Sequence, residues 1–138
     1  MDHSDIDIYN QSGAIPYRVN GDGLQLLIIT SRNGKRWIFP KGIVDQGMTA
    51  AESALAEAFE EAGVEGSLLP EPIGKFKYKK WGGTCTVRVF LMKVEKIHHD
   101  WPEDDFRERK WVTRTEAEAL VSPSKLRKLV KKIPNDLC

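Results

Sequence analysis

The sequence predicts an α/β fold in which a mixed β-sheet is packed between helical layers. Strand-like apolar segments lie on both sides of one strongly patterned helix at residues 49–64. Two further helices close the chain, the first marked by a capping box at Thr113 and Glu116. The last carries an apolar stripe on an otherwise basic helix, at Leu126, Leu129, Val130 and Ile133. This arrangement of strands and helices suits a sheet that is covered on both faces.

The composition is that of one ordinary domain. The chain has 138 residues, 41% hydrophobic and 30% charged, so we expect residues 1–138 to form a single domain. No apolar run approaches the roughly 18 residues needed to cross a membrane. Residues 1–5 are acidic and lack the basic and apolar regions of a secretory signal, which predicts a cytoplasmic location. A net charge of +1 makes nucleic acid an unlikely partner, and we expect a monomer or homodimer.

The central helix is the most informative segment of the chain. Thr49 and Glu52 match a capping box, and Gly63 predicts the helix end. Helical spacing predicts that the core-facing stripe consists of Leu55, Ala58, Phe59 and Ala62. The same spacing places three carboxylates together on the opposite, outward face, at Glu57, Glu60 and Glu61.

These three glutamates have two interpretations. Neighbouring carboxylates repel, and anions near a helix C-terminus oppose the helix dipole, each effect costing a few tenths to about 1 kcal/mol. A bound divalent cation would reverse both penalties, and Mg²⁺ prefers carboxylate oxygens together with substrate phosphates. An ordinary solvated acidic face is the alternative, because glutamate-rich exposed faces are common.

The segment that precedes the helix favours the metal site. Residues 37–39 are typical of a strand end, and residues 40–47 of a loop that leads into the helix. Strand, loop and helix together resemble the Nudix hydrolase signature, G-x5-E-x7-R-E-U-x-E-E-x-G-U, where U is aliphatic. The matching positions are Gly42, Glu57, Glu60, Glu61, Gly63 and Val64. Two positions depart from the signature, since Met48 replaces its first glutamate and Ala56 replaces its arginine.

The resemblance covers about residues 12–120 and looks like the diphosphoinositol polyphosphate and diadenosine polyphosphate hydrolase branch. It implies an α/β/α sandwich that hydrolyses a diphosphate linkage in a small phosphorylated substrate. It also implies Mg²⁺ or Mn²⁺ held by Glu57, Glu60 and Glu61, with Glu57 or Glu61 as the base. In the family, the groups missing at Met48 and Ala56 orient the carboxylates. Three outcomes are therefore open: a slower enzyme, compensation by other groups, or a silent module that binds nucleotide or inositol phosphates. Capped or triphosphorylated RNA ends are an alternative substrate class.

Basic residues are the candidates for binding substrate phosphate. Residues 75–79 alternate lysine with aromatic side chains, so on a strand the lysines share one face. The alternative is an edge strand whose lysines prevent aggregation. Arg88 lies among apolar neighbours and therefore needs an anionic partner, either substrate phosphate or a structural carboxylate. The full predicted set for substrate binding is Arg18, Arg36, Lys41, Gly42, Lys77, Lys79 and Arg88.

Two further features have simpler interpretations. His98 and His99 precede an acidic segment, residues 100–105, which could fold over the site and supply an extra base or metal ligand. A solvated loop is the predicted state of this segment. The tryptophans are predicted to pack in the core rather than to stack on bases, namely Trp37, Trp81, Trp101 and Trp111.

Overall fold

Eight strands form one mixed sheet in the computed structural model, which describes residues 7–80 and 82–138. Side chains are described from residue 10 onward, again with residue 81 excepted. The predictions made from residues 1–5 and for Trp81 lie outside the described residues. Within the described part of the chain, no helix has the length and apolar character needed to cross a bilayer.

The strands and helices follow one another in an order that encloses the first helix between strands. The strands are β1 (Asp7–Asn20), β2 (Gly23–Thr30), β3 (Trp37–Ile38), β4 (Lys41–Ile43), β5 (Val64–Leu68), β6 (Gly74–Lys80), β7 (Gly83–Ile97) and β8 (Arg109–Thr113). The helices are α1 (Ala50–Ala62), α2 (Arg114–Leu120) and α3 (Ser124–Lys131). The central path through the sheet is β3-β2-β1-β7-β5, and β4, β6 and β8 pair with β1, β7 and β2 respectively. β1 and β7 are parallel, and the other pairs are antiparallel.

Each face of the sheet carries its own apolar core. On one face, α1 packs over a cluster that includes Ala14, Leu27, Ile29, Phe90 and Met92. On the other face, α2 and α3 pack over a larger cluster that includes Ile15, Phe39, Phe76, Val89 and Leu126. Successive residues of one strand, such as Ala14 and Ile15, point to opposite faces and enter different cores. The predicted mixed sheet between helical layers is confirmed.

The predicted ends of α1 are also confirmed. The Thr49 hydroxyl accepts from the Glu52 amide at 3.0 Å, and the Glu52 carboxylate accepts from the Thr49 amide at 2.9 Å. Gly63 ends the helix with a left-handed φ of 69°. A β-carbon at this position would lie 2.8 Å from Trp101 Cγ, so glycine satisfies both the backbone and the space available. Sequence-local capping chemistry therefore fixes where α1 begins and ends.

The predicted core-facing stripe of α1 is correct for Ala58 and Ala62 and wrong for Leu55 and Phe59. Leu55 and Phe59 are 36% and 37% exposed, whereas the face against the sheet consists of Ser53, Ala54, Ala58, Glu61 and Ala62. Small side chains on this face allow the helix to lie close to β1, where the Ser12 hydroxyl donates to the Ala50 carbonyl at 2.7 Å. Glu61 consequently points towards the sheet and is only 9% exposed.

The predicted loop at residues 40–47 contains a short strand. In β4, Gly42 and Ile43 pair with Ser12 and Gln11 of β1, partners that are distant in sequence. The pairing holds the segment firmly beside α1, and this position brings the backbone of Gly42 against the α1 carboxylates.

Candidate active site

Two glutamates of α1 form a carboxylate pair at the point where the helix faces β4. Glu57 and Glu61 are one turn apart on α1, close enough that the charge of Glu57 raises the pKa of Glu61. Glu61 Oε1 also accepts from the Lys41 backbone amide at 3.1 Å. Glu60 lies outside this pair, since its side chain is exposed. The structure thus separates the three predicted carboxylates into an enclosed pair and one solvent-facing residue.

Gly42 lies so close to Glu57 that any side chain at residue 42 would disturb this arrangement. A β-carbon at residue 42 would lie 2.3 Å from both Cδ and Oε1 of Glu57. Real atoms do not approach so closely, so only glycine lets the strand pass beside the carboxylate in this position. The glycine of the signature therefore has a local steric role in this chain.

Burial and mutual repulsion raise the proton affinity of the carboxylate pair. Burial raises the pKa of Glu61 to about 8, with a further increase from the charge of Glu57 and an opposing decrease from Arg107. Burial also raises the pKa of Glu57, to which the nearby Glu60 and Glu103 carboxylates add. Without a cation, the pair is therefore most stable when it holds one proton between the two carboxylates.

Arg107 lies against the pair from outside the helix. Its Nη2 is 3.6 Å from Glu61 Oε2, and its side chain is 4% exposed. Nε and Nη2 donate to Glu103 Oε1 at 2.9 and 2.8 Å, and Nη1 donates to the Thr30 carbonyl at 2.8 Å. Three hydrogen bonds to Glu103 and Thr30 fix the orientation of the guanidinium, so it presents a fixed positive charge to Glu61.

The segment between β7 and β8 folds over the C-terminal end of α1. The Trp101 indole donates to the Glu61 carbonyl at 3.0 Å, and Arg109 Nη1 donates to the Ala62 carbonyl at 2.7 Å. The Glu103 amide donates to the Glu60 carbonyl at 3.1 Å. These donors satisfy carbonyls that the helix end leaves free. This acidic segment, predicted to be a solvated loop, is instead packed on the helix in part, although His99 and Asp100 are exposed.

A cavity of about 510 Å³ opens beside Glu61, between the strands and the N-terminal end of α3. Its volume lies within the usual range for a small-molecule site. One part of the lining is cationic and includes Arg32, Arg36, Lys41, Lys80 and Arg107. Another part is apolar and includes Ile38, Phe39, Phe76 and Leu126. The cavity can therefore accept a ligand that has both an anionic and an apolar portion.

Lys41 places a cation in the same cavity wall as Glu61. Its Nζ lies 3.4 Å from both the Gln11 Oε1 and the Tyr78 hydroxyl, and Tyr78 donates to Gln11 at 2.9 Å. Both of these partners are neutral. Burial lowers the pKa of Lys41, and the charge of Lys80 lowers it further. An anion that enters the cavity beside this ammonium would relieve both effects.

The predicted substrate-binding residues divide into two groups. Arg36, Lys41 and Gly42 line the cavity. The structure does not bring Arg18, Lys77, Lys79 or Arg88 to it. Arg18 lies elsewhere on the sheet, where it donates to Gln25 at 2.8 Å and covers the Trp111 ring.

Strand alternation explains the position of the other three residues. Phe76, Tyr78 and Lys80 of β6 line the cavity, so Lys77 and Lys79 project from the opposite face of the strand. Arg88 pairs in register with Ser12, whose hydroxyl contacts α1, and it therefore lies on the α1 side of the sheet. The predicted alternation of β6 is correct, but the face that meets the cavity is the aromatic one.

Several residues of the site could not be recognised from the sequence. Arg107 lies far from α1 in sequence and no motif marks it. Its partner Glu103 belongs to the acidic segment 100–105, which the sequence did indicate as able to fold over the site. Gln11 and Tyr78 carry no local signal. Their side chains meet only because β1 and β6 both pair with β7. Alternation in β6 could have identified Lys80 as a companion of Tyr78 on one face.

The carboxylate pair fits a divalent cation by its chemistry. Among the described residues, no three aspartate, glutamate, histidine or cysteine side chains converge into a preformed ion site. Mg²⁺ is commonly held by only one or two carboxylates, with waters and substrate phosphates completing its shell. Glu57 and Glu61 provide two such carboxylates in an enclosed position, where Arg107 and the Lys41 amide offset only part of their repulsion.

In both sequence and fold, this chain is similar to Nudix hydrolases. A NUDIX domain model matches residues 10–133. Nudix hydrolase 13, mitochondrial, from Arabidopsis thaliana is 36% identical over an alignment of 128 positions that covers 77% of this chain and 63% of that protein. Nudix hydrolase 21, chloroplastic, from the same plant is 34% identical over 146 residues, covering 97% of this chain and 73% of that protein.

A diphosphoinositol polyphosphate phosphohydrolase 3-beta from Bos taurus is 32% identical over 104 residues, covering 73% of this chain and 62% of that protein. The fold is similar to the crystal structure of an Ap4A hydrolase from C. elegans, with a TM-score of 0.75 and 21% identity, covering 91% and 95% of the two chains. The matched domain spans nearly the whole described chain, and the glycine and glutamates stand in their signature positions. This protein therefore belongs to the Nudix family.

Proposed function

We propose that this chain is a metal-dependent pyrophosphohydrolase that cleaves a diphosphate linkage in a nucleoside polyphosphate, with diadenosine polyphosphates preferred. The observation that carries the proposal is the enclosed Glu57–Glu61 pair at the edge of a cavity with cationic and apolar walls. Family membership supports hydrolysis, and the contents of the cavity wall support the substrate class.

Glu57 and Glu61 would hold Mg²⁺ or Mn²⁺. When bound, the cation supplies Lewis acidity to the phosphoryl oxygens. Lys41 and Arg36 place positive charge beside the same part of the cavity, where charge develops on the phosphate during transfer. Electrostatic stabilisation and positioning of this kind provide most of the catalysis in phosphoryl transfer.

The carboxylate pair also provides a proton acceptor. Water attacks phosphorus, its proton passes to an ionised carboxylate of the pair, and the bond from phosphorus to the bridging oxygen breaks as the leaving phosphate departs. Glu61 is the better placed acceptor, because it lines the cavity and both of its oxygens are held, one by the Lys41 amide and the other beside Arg107.

The apolar wall favours a nucleoside over an inositol ring. Ile38, Ile43 and Tyr78 line the cavity and keep exposed surface that would pack against a purine base, whereas a fully phosphorylated ring has no apolar portion to bury. A diphosphoinositol polyphosphate is the second candidate. It is favoured by the similarity to the bovine phosphohydrolase and by the number of cations around the cavity.

The proposal is tested by measuring product release from diadenosine tetraphosphate, a diphosphoinositol polyphosphate and ATP, each with Mg²⁺, with Mn²⁺ and with chelator. We expect metal-dependent turnover, with kcat/KM highest for diadenosine tetraphosphate. Glu61→Gln should remove turnover, and Glu60→Gln should reduce it less, because Glu60 is exposed. Glu71→Gln, at an exposed site remote from the cavity, is the matched control.

The substrate panel separates the alternatives. Highest kcat/KM for the diphosphoinositol polyphosphate would replace the preferred substrate by the second candidate. Binding of these compounds without release of product in either metal would refute the hydrolase and identify a silent binding module. Turnover confined to triphosphorylated or capped RNA, added as a further panel member, would assign the chain to RNA 5′ ends.

A further inference from the structure

We propose that Arg107 is the positioning residue for Glu61, supplying a guanidinium from the connection between β7 and β8 rather than from α1. The inference rests on the proposed function in that Glu61 is taken as a member of the catalytic pair. It assigns a role to a residue that lies outside the helix and its signature.

The first argument is the geometry of the guanidinium. Arg107 is buried, and its Nη2 lies 3.6 Å from Glu61 Oε2. Its two-pronged contact with Glu103 and its contact with the Thr30 carbonyl fix the plane of the group. Lysine could not reproduce this, because one ammonium cannot make the forked contact with the same fixed direction.

The second argument is that the two oxygens of Glu61 are held from different sides. Oε1 accepts from the Lys41 amide at 3.1 Å, and Oε2 faces Arg107. One partner is backbone in a paired strand, and the other is a side chain with three protein contacts. Glu61 is therefore restrained in both position and rotation by groups that lie outside its own helix.

The third argument concerns the helix position where the signature has arginine. Ala56 is exposed, and its neighbours one turn away on the same face are Glu52 and Glu60, which are also exposed. An arginine at residue 56 would lie on this outer face, whereas Glu61 points towards the sheet. In this chain the restraint on Glu61 consequently has to come from another element, and Arg107 is in place to provide it.

The connection that carries Arg107 is hydrogen-bonded to the end of β2 on one side and to α1 on the other. The Thr30 amide donates to the Glu108 carbonyl at 3.0 Å, and the Glu108 amide donates to the Thr30 hydroxyl at 2.9 Å. On the other side, the Glu103 amide is bonded to the Glu60 carbonyl at 3.1 Å. The guanidinium thus links the C-terminal turn of α1 to the end of β2. Through this link the sheet restrains the position of Glu61.

Arg107→Met and Arg107→Lys test the inference, with Arg109→Met as the matched control. Arg109 is the first residue of β8, two positions after Arg107, and is partly buried, but it contacts the backbone carbonyls of Ala62 and His98. Loss of either arginine should destabilise the fold. Only the loss of Arg107 should disturb the Glu61 side chain.

The first readout needs no metal and no substrate. The Lys41 amide proton donates to Glu61 Oε1, so its resonance and its hydrogen-exchange rate in ¹⁵N spectra with chelator report the position of the carboxylate. We expect this amide to shift and to exchange faster in Arg107→Met, to change less in Arg107→Lys, and to keep its wild-type values in Arg109→Met. Equal changes in Arg107→Met and Arg109→Met would overturn the inference.

The second readout is steady-state kinetics with diadenosine tetraphosphate and Mn²⁺. We expect Arg107→Met to lower kcat by about 10- to 100-fold with a small change in KM, as is usual when the support of a catalytic carboxylate is lost. Arg107→Lys should recover part of kcat, and Arg109→Met should retain it within about threefold. An unchanged kcat in Arg107→Met would refute the role.

The two readouts also distinguish failure of this inference from failure of the proposed function. If the wild-type protein hydrolyses none of the substrates, the proposed function fails, and the Lys41 amide still decides whether Arg107 holds Glu61. Should Arg107→Met not fold, Arg107→Lys provides the same comparison against Arg109→Met.

Discussion

Substituting Gly42 by alanine tests the steric basis of the carboxylate pair. The added β-carbon would lie 2.3 Å from the carboxylate carbon of Glu57. Favourable contacts between carbon atoms begin at about 3.5 Å, so the Glu57 carboxylate has to move by about 1 Å or more. The moving group is the end of a flexible side chain, but it is half-buried beside the Glu61 carboxylate.

The expected losses differ for stability and activity. Overpacking of this kind lowers the free energy of unfolding by about 1–3 kcal/mol. Displacement of a catalytic group by 1 Å can reduce turnover by about 100-fold. We therefore expect Gly42→Ala to remain folded and to lose most of kcat, because a movable carboxylate relieves the clash by leaving its functional position.

Gly21→Ala is the matched control, because a β-carbon at residue 21 would have no heavy atom within 4 Å. Its free energy of unfolding should stay within about 0.5 kcal/mol of the wild-type value. The assays are chemical denaturation in chelator and kcat with diadenosine tetraphosphate and Mn²⁺. Wild-type kcat and wild-type stability in Gly42→Ala would show that the position of Glu57 does not depend on this close approach, and the reasoning would fail.

Three further predictions follow from the site and from the helix that carries it. Since the pKa of Glu61 is about 8 in the folded chain against an ordinary 4.5, the folded state binds more protons between these values. With chelator, the free energy of unfolding should therefore decrease as pH rises from about 4.5 to about 8, and a pH series on Glu61→Gln that keeps the same slope would contradict this assignment. Lys41→Met should raise KM for diadenosine tetraphosphate more than Lys77→Met, because Lys41 lines the cavity and Lys77 does not; equal effects would mean that Lys77 contacts the substrate. Thr49→Ala should lower the free energy of unfolding, measured by chemical denaturation, by about 0.5–2 kcal/mol through loss of the α1 cap. An unchanged unfolding midpoint would count against the capping box.

The sequence alone was sufficient for features whose causes are local. The capping box of Thr49 and Glu52 and the left-handed Gly63 set the bounds of α1, since each acts on backbone groups within one turn. The alternation of β6 placed Phe76 and Tyr78 on one face and the lysines on the other, because side chains of a strand alternate whatever surrounds it. The fixed spacing of Gly42 and the glutamates likewise indicated the family that the domain comparison shows.

Only the tertiary structure decided which faces meet and which distant residues come together. Helical spacing defines the faces of α1 but not the one that packs, and the narrow alanine face lies on the sheet while Leu55 and Phe59 remain exposed. This rotation turns Glu61 inward and leaves Glu60 outside. Arg107 reaches Glu61 through the pairing of β2 with β8 and through a connection of irregular shape. Such contacts depend on the three-dimensional packing of many elements, and no spacing along the chain encodes them.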